Sequence, residues 1–113
     1  MRIKYAIVLF IPLILFLICC SPTLMPPAET DVAVAKQHWS DATLAQLNEG
    51  HTLYINKCGN CHYLHRPDRY TDEKWNKMLP IMGKKAKLDS LQLELITKYI
   101  FTAKQTGSFS RKK

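Results

Sequence analysis

Apolar positions along the chain fall into one continuous block and three helical patterns. The block covers residues 5–18. Farther along, apolar residues recur three or four positions apart in segments that begin near Thr43, Thr71 and Asp89. This spacing places them on one face of an α-helix, and no segment alternates with the two-residue period of a strand. The sequence therefore predicts an all-α fold of three to four helices.

Start signals accompany the helical patterns. Thr43 with Gln46, and Asp89 with Gln92, form capping boxes in which side chains satisfy the first free N–H groups of a helix. Pro80 lies inside the second pattern, and we expect it to end or kink that helix because proline lacks an N–H and clashes with the preceding turn.

The predicted helical domain, residues 41–105, has a thin core. A domain of about 65 residues usually needs a metal, a disulfide or a large cofactor to hold it together. Gly50 lies inside the first helix, predicted over residues 43–57, where a glycine costs about 1 kcal/mol relative to alanine. That cost suggests that another helix crosses closely at Gly50.

The N-terminal apolar block has the character of a signal peptide. Its 14 residues follow Arg2 and Lys4, and as a helix they would extend about 21 Å, less than the ~30 Å of a bilayer core. A short membrane anchor or a buried core helix is the alternative, although Pro12 lies inside the block.

The residues that close this block resemble a bacterial lipoprotein lipobox. In Leu17-Ile18-Cys19-Cys20, a small residue precedes Cys20, the predicted lipid carrier; for Cys19, the alternative, bulky Ile18 would precede it. The resemblance implies a signal peptide over residues 1–19 and a mature chain held at the membrane by its lipid alone. Residues 20–40 contain three prolines and no clear period, which predicts a flexible tether, and residues 106–113 form a basic C-terminal tail.

Composition excludes several classes of protein. The chain has 113 residues, 47% of them hydrophobic, with a net charge of +7 and a mean hydropathy of -0.15. These values are too apolar for a disordered protein and too polar for a polytopic membrane protein, so we expect one small domain.

The run Cys58-Gly59-Asn60-Cys61-His62 is the C-x-x-C-H signature of c-type haem attachment. Each cysteine sulfur would form a thioether with one haem vinyl group, and His62 would be the proximal axial ligand of the iron. A redox dithiol does not require the histidine, a zinc site would need a second ligand pair, and a disulfide over three residues would add little stability. The sequence therefore predicts one covalent haem c.

With this motif, residues 41–103 resemble the small monohaem c-type cytochromes. The run Gly50-x-x-x-Tyr54-x-x-x-Cys58 is similar to the N-terminal helix of that family, which packs across the C-terminal helix. The resemblance implies a cytochrome c-like fold wrapped around one haem. It also implies that the Pro67 carbonyl accepts a hydrogen bond from the unligated nitrogen of His62.

Two methionines are candidates for the sixth iron ligand. The family usually delivers this methionine from a loop or helix end after a proline or glycine, and Pro80-Ile81-Met82-Gly83 fits this better than Met78 does. We therefore predict Met82 as the distal ligand, with Met78 as the alternative. Core filling is the commoner role of a methionine. Of the other histidines, His65 is expected at the protein surface or beside a haem propionate, and His51 is expected to face outward.

The positive charge is partly concentrated near Met82. Without the signal peptide the net charge is +5, and Lys84, Lys85 and Lys87 follow Met82 closely. Lysines beside an exposed haem edge would steer an acidic redox partner into contact, although a solubilising surface is the alternative. A haem protein outside the cytoplasm is not expected to bind nucleic acid.

These features predict a monomeric periplasmic electron carrier, tethered by lipid, that cycles between Fe(III) and Fe(II) and is not an enzyme. Ser21 after the lipidated cysteine favours the outer membrane. Two alternatives stay open, a haem-based gas sensor or ligand-binding protein with a labile sixth site, and a peroxidase-like enzyme with His65 as a distal acid-base group.

Overall fold

Helices make up all the regular structure of residues 24–110, the part of the chain that the computed structural model describes. The α-helices are α1 Glu29–Ala35, α2 Leu44–Leu53, α3 Asp72–Lys85 and α4 Ser90–Thr106; a π-helical turn Tyr54–Cys58 extends α2, and a 3₁₀ turn Pro67–Arg69 precedes α3. The predicted all-α class is confirmed for these residues. The predicted signal peptide, Cys19, Cys20 and residues 111–113 lie outside the described residues.

The predicted helix starts are confirmed at atomic detail. The Thr43 hydroxyl accepts from the Gln46 N–H at 3.2 Å, and the Gln46 amide oxygen accepts from the Thr43 N–H at 3.3 Å. Asp89 and Gln92 form the same reciprocal pair at 2.8 and 3.1 Å. Thr71 caps α3 through its side chain. These side chains fix where each helix begins.

Pro80 was expected to end or kink the second predicted helix; it does not end it, because α3 continues to Lys85. Proline removes one backbone hydrogen bond, at a cost of about 3 kcal/mol or more in a helix interior. Pro80 is itself exposed, while Trp75, Leu79 and Gly83 of the same helix are buried. Burial of that face offsets the cost of the proline.

Gly50 is the point at which α2 and α4 cross, as predicted. A Cβ atom on Gly50 would lie 2.1 Å from the carbonyl oxygen of Leu95 in α4, closer than any side-chain atom can approach. One turn later, the rings of Tyr54 and Tyr99 pack with centroids 6.0 Å apart. The two helices thus meet backbone to backbone at the centre of the core.

The predicted tether over residues 20–40 is wrong for its described part. Leu24 is buried in the main core, and Ala35 of α1 is fully buried in a second cluster beside α2. Asp31 is 2% exposed and accepts a hydrogen bond from the Ala28 N–H at 2.8 Å, which closes the start of α1. Polar satisfaction of the helix start, rather than a long apolar period, makes this seven-residue helix possible.

The C-terminal tail is also partly folded against the domain. Phe109 is buried in the same core cluster as Leu24, and its carbonyl accepts from the N–H of Met25 at 3.1 Å. His51, expected to face outward, is half-buried, with Nε2 3.0 Å from the Leu24 carbonyl oxygen and its ring edge-on to Tyr99. The helical pattern of α2 alone could not predict that the segment around Leu24 contacts this side chain.

Lys98 in α4 is a buried cation, with 1% of its side chain exposed. Its Nζ lies 3.0 Å from a Glu94 oxygen and 3.2 Å from an Asp41 oxygen. Burial by itself lowers the pKa of Lys98, but the hydrogen bonds with Glu94 and Asp41 outweigh it, and the net effect is a raised pKa. The same contact lowers the pKa of Asp41 below its usual value.

Asp41→Asn is therefore expected to destabilise the domain in a pH-dependent way. Because the folded-state pKa of Asp41 is lowered, its stabilising effect is present above about pH 4 and is lost as the pH falls through that lowered value. Thermal unfolding should give a lower midpoint for the variant at pH 7 and equal midpoints near pH 2. Glu73→Gln, which removes an exposed pair with Lys77, serves as the control and should lower the midpoint at pH 7 much less than Asp41→Asn does. If Asp41→Asn lowered the unfolding midpoint by the same amount at both pH values, this account would be contradicted.

Within residues 24–110, no helix has both the length and the apolar character needed to cross a bilayer.

Candidate functional site

A cavity of about 210 Å³ opens to solvent beside the end of α2, and its lining is almost entirely apolar. Two segments of the chain line it. We call them the motif wall, from Tyr54 to His65, and the α3 wall, from Trp75 to Ala86. All the haem-site residues predicted from the sequence lie on these two walls.

Cys58 and Cys61 lie on the motif wall as free thiols, Cys58 half-buried and Cys61 exposed. The π-helical turn that ends at Cys58 is closed by a hydrogen bond from the Gly59 N–H to the Ile55 carbonyl, 3.2 Å long. A Cβ on Gly59 would lie 2.5 Å from that carbonyl oxygen. The first variable position of the C-x-x-C motif therefore needs glycine here, which the motif alone did not predict. Burial, and then the nearby Cys61, raises the pKa of the Cys58 thiol.

His62 is exposed on the motif wall, and its Nδ1 lies 2.8 Å from the Tyr63 carbonyl oxygen. A hydrogen bond from Nδ1 to that carbonyl assigns the tautomer in which Nε2 carries the free lone pair, as a metal ligand requires. The expected bond between His62 and the Pro67 carbonyl is not the one that forms. Pro67 is instead the acceptor for the indole N–H of Trp75, at 2.8 Å in the buried interior.

Met78 and Met82 both lie on the α3 wall and are half-buried. We expected Pro80 to separate them, but the continuous helix keeps them on one stripe with Trp75 and Leu79. Residues three and four apart share a helix face, so an unbroken α3 aims both thioethers at the cavity. The choice of Met82 over Met78 stays a prediction.

Aromatic contacts hold the two walls together. Tyr54 and Trp75 pack edge to face with centroids 6.4 Å apart, and Tyr70 also packs edge to face with Trp75, at 5.4 Å. The Tyr54 hydroxyl donates to the His65 carbonyl at 2.6 Å, and burial is the main reason that the pKa of Tyr54 is raised. These contacts fix the motif wall against α3.

His65 lies on the motif wall beside the predicted proximal ligand, with its ring centroid 5.3 Å from that of His62. Burial, followed by the charges of His62 and Arg69, lowers the pKa of His65. A neutral imidazole is therefore favoured near this edge of the cavity.

Lysines surround part of the cavity. Lys57 lines it from the motif wall and Lys85 from the α3 wall, while Lys84 and Lys87 are exposed close by in sequence. We call these four residues the lysine rim. Among the described residues that line the cavity there is no Asp or Glu. The mouth therefore carries positive charge.

Over residues 24–110, no three His, Cys, Asp or Glu side chains are grouped closely enough to hold a metal ion by themselves. Comparison with known proteins found no matching family model, no matching curated protein and no matching solved structure. The residues that line the cavity are therefore the basis for assigning its function.

Proposed function

We propose that this chain is a monohaem c-type cytochrome that carries single electrons between redox proteins on the periplasmic side of a bacterial membrane. One observation carries the proposal: the C-x-x-C-H motif and two methionine thioethers line the same apolar cavity. Thiols, an imidazole and thioethers are the donor set of a covalently bound haem with histidine and methionine ligands.

Each wall would have its own part in holding the cofactor. Cys58 and Cys61 would carry the thioether bonds, His62 would bind the iron through Nε2, and Met82, with Met78 as the alternative, would occupy the sixth position. Haem c supplies an iron that exchanges one electron between Fe(III) and Fe(II). Methionine and histidine as axial ligands raise the reduction potential, and an apolar surround that excludes water tunes it further.

The α3 wall also bears on the alternative functions. A peroxidase-like enzyme needs an acid-base group on the distal side, and the described residues of the α3 wall that line the cavity include no histidine or carboxylate. His65, the candidate for that role, lies on the motif wall close to His62. This arrangement favours the electron carrier over the enzyme.

If Cys20 carries lipid, the domain is held close to the membrane. Only Ser21, Pro22 and Thr23 separate Cys20 from the buried Leu24. Four residue steps reach at most about 14 Å, far less than the ~70 Å of a fully extended 20-residue tether. Electron exchange would then take place with partners at the same membrane surface.

Optical and redox titration of the purified chain tests the proposal. We expect one electron per chain, taken up reversibly, a low-spin spectrum in both states, and little reaction of the ferrous form with carbon monoxide. A high-spin ferrous form that binds carbon monoxide readily would favour a gas sensor and contradict the proposal of an electron carrier.

The lysine rim is proposed to guide acidic partners to the cavity mouth. Charge reversal of Lys57 and Lys85 together should slow oxidation by a small anionic oxidant, such as hexacyanoferrate(III), by about tenfold at low ionic strength. The difference should shrink at high salt because the charges are screened. The matched control reverses Lys36 and Lys74, which are exposed and do not line the cavity. Equal slowing in both double variants would show that only net charge matters.

A further inference from the structure

We infer that Met78 and Met82 form a pair of interchangeable sixth ligands, so that each can bind the iron when the other is removed. The inference rests on the proposed function, since it concerns the same iron. It goes beyond it by assigning a ligand role to both methionines rather than to one of them.

The helical register supports the pairing. Four residues advance a helix by about 6 Å and turn it by only about 40° beyond a full turn. The stripe that lines the cavity contains Trp75, Met78, Leu79, Met82, Lys85 and Ala86, in sequence steps of three, one, three, three and one. Met78 and Met82 thus lie about one helical turn apart on the cavity-facing side of α3.

Burial separates these methionines from ordinary core residues. Trp75 and Leu79, on the same stripe, are 2% and 6% exposed. Met78 and Met82 line the same cavity but are only half-buried. A methionine that only filled the core would be covered like its neighbours, whereas these two thioethers have room for a partner.

Pro80 makes α3 easier to bend between the two methionines. It lies midway between them, is exposed, and leaves α3 without one backbone hydrogen bond at that turn. Methionine itself has three rotatable bonds and a polarizable sulfur that adapts to irregular space. A small bend at Pro80, together with rotamer changes, is the adjustment that would bring either sulfur into position.

Three leucine variants of the full haem-loaded chain test this inference: Met78→Leu, Met82→Leu and the double variant. Leucine preserves volume, so the α3 wall should stay packed. The readouts are the weak long-wavelength sulfur-to-iron absorption band of the ferric form and carbon monoxide uptake by the ferrous form. Each single variant should keep a band, shifted in position, and bind little carbon monoxide, while the double variant should lose the band and bind carbon monoxide fully.

Ile81→Ala is the matched control, because Ile81 lies on the same helix, is 54% exposed and does not line the cavity. It should leave band and carbon monoxide uptake unchanged. The inference is overturned if one single variant behaves like the double variant, or if the double variant still resembles the wild type. A wild-type chain with a sulfur-to-iron band but one indispensable methionine would leave the proposed function standing; a wild-type chain without covalent haem would remove both. Far-UV circular dichroism of the double variant separates loss of a ligand from loss of fold.

Discussion

Replacement of Cys58 and Cys61 by serine in one chain is expected to abolish covalent haem and to lower the thermal midpoint by about 10 °C or more. The reason is the size of the domain, whose small main core shares Tyr54, Trp75 and Leu79 with the lining of an open apolar cavity. A core of this size usually needs an additional constraint, and a haem that fills the cavity would bury apolar surface that is otherwise wet.

Haem absorbance of the denatured protein measures attachment, and circular dichroism follows unfolding. Cys58→Ser alone is the graded control, since Cys61 can still form one thioether bond, and its midpoint should fall between those of the wild type and the double variant. If the double variant unfolds at the wild-type temperature, the two cysteines do not hold the stabilising group.

Gly50→Ala is expected to destabilise the domain by about 3 kcal/mol, although alanine is the better helix former by about 1 kcal/mol. The added Cβ would lie 2.1 Å from the Leu95 carbonyl oxygen, which is backbone and cannot rotate away. The crossing of α2 and α4 must therefore widen, and the packing of Tyr54 on Tyr99 would loosen with it.

Gly83→Ala supplies a matched control within α3. Its new Cβ would meet the ends of two flexible side chains, Leu93 at 3.1 Å and Leu88 at 3.8 Å. Denaturant unfolding should thus give a free energy near or above the wild-type value for Gly83→Ala and a much lower one for Gly50→Ala. Similar values for the two variants would mean that the close crossing at Gly50 does not limit stability.

Local sequence signals predicted those parts of the fold that depend on local chemistry. The capping boxes at Thr43 and Asp89 mark helix starts because the interacting atoms are three residues apart in the chain. Gly50 indicated a helix crossing because glycine inside a helix lowers stability, and a close contact with another helix compensates for that loss. In each case, neighbouring residues carry all the information that the structural feature needs.

Features that depend on tertiary contacts were missed. α1 has only seven residues, and it is held by the hydrogen bond from the Ala28 N–H to Asp31 and by burial of Ala35 rather than by a long periodic pattern. The course of α3 through Pro80 depends on its buried face, which the proline rule does not include. The Pro67 carbonyl bonds to Trp75 and not to His62, a choice that only the packed aromatic cluster decides.

The sequence identified candidate residues, but not the shape of the cavity that they line. The C-x-x-C-H motif predicted Cys58, Cys61 and His62, and Met78 and Met82 were the candidates for the sixth ligand. All five residues line the cavity. Pro80 was expected to end or kink the helix between the two methionines, but α3 does not end there and both methionines line the cavity. The continuity of α3 thus places both methionines, rather than one of them, at the cavity.

The most direct test of the haem assignment is the mass of one tryptic peptide from the isolated full chain. Cleavage after Lys57 and Arg69 releases residues 58–69, since Pro67 protects the bond after Arg66. We predict that this peptide carries exactly one haem through both Cys58 and Cys61. A peptide with two free thiols, or with a disulfide between them, would contradict the account.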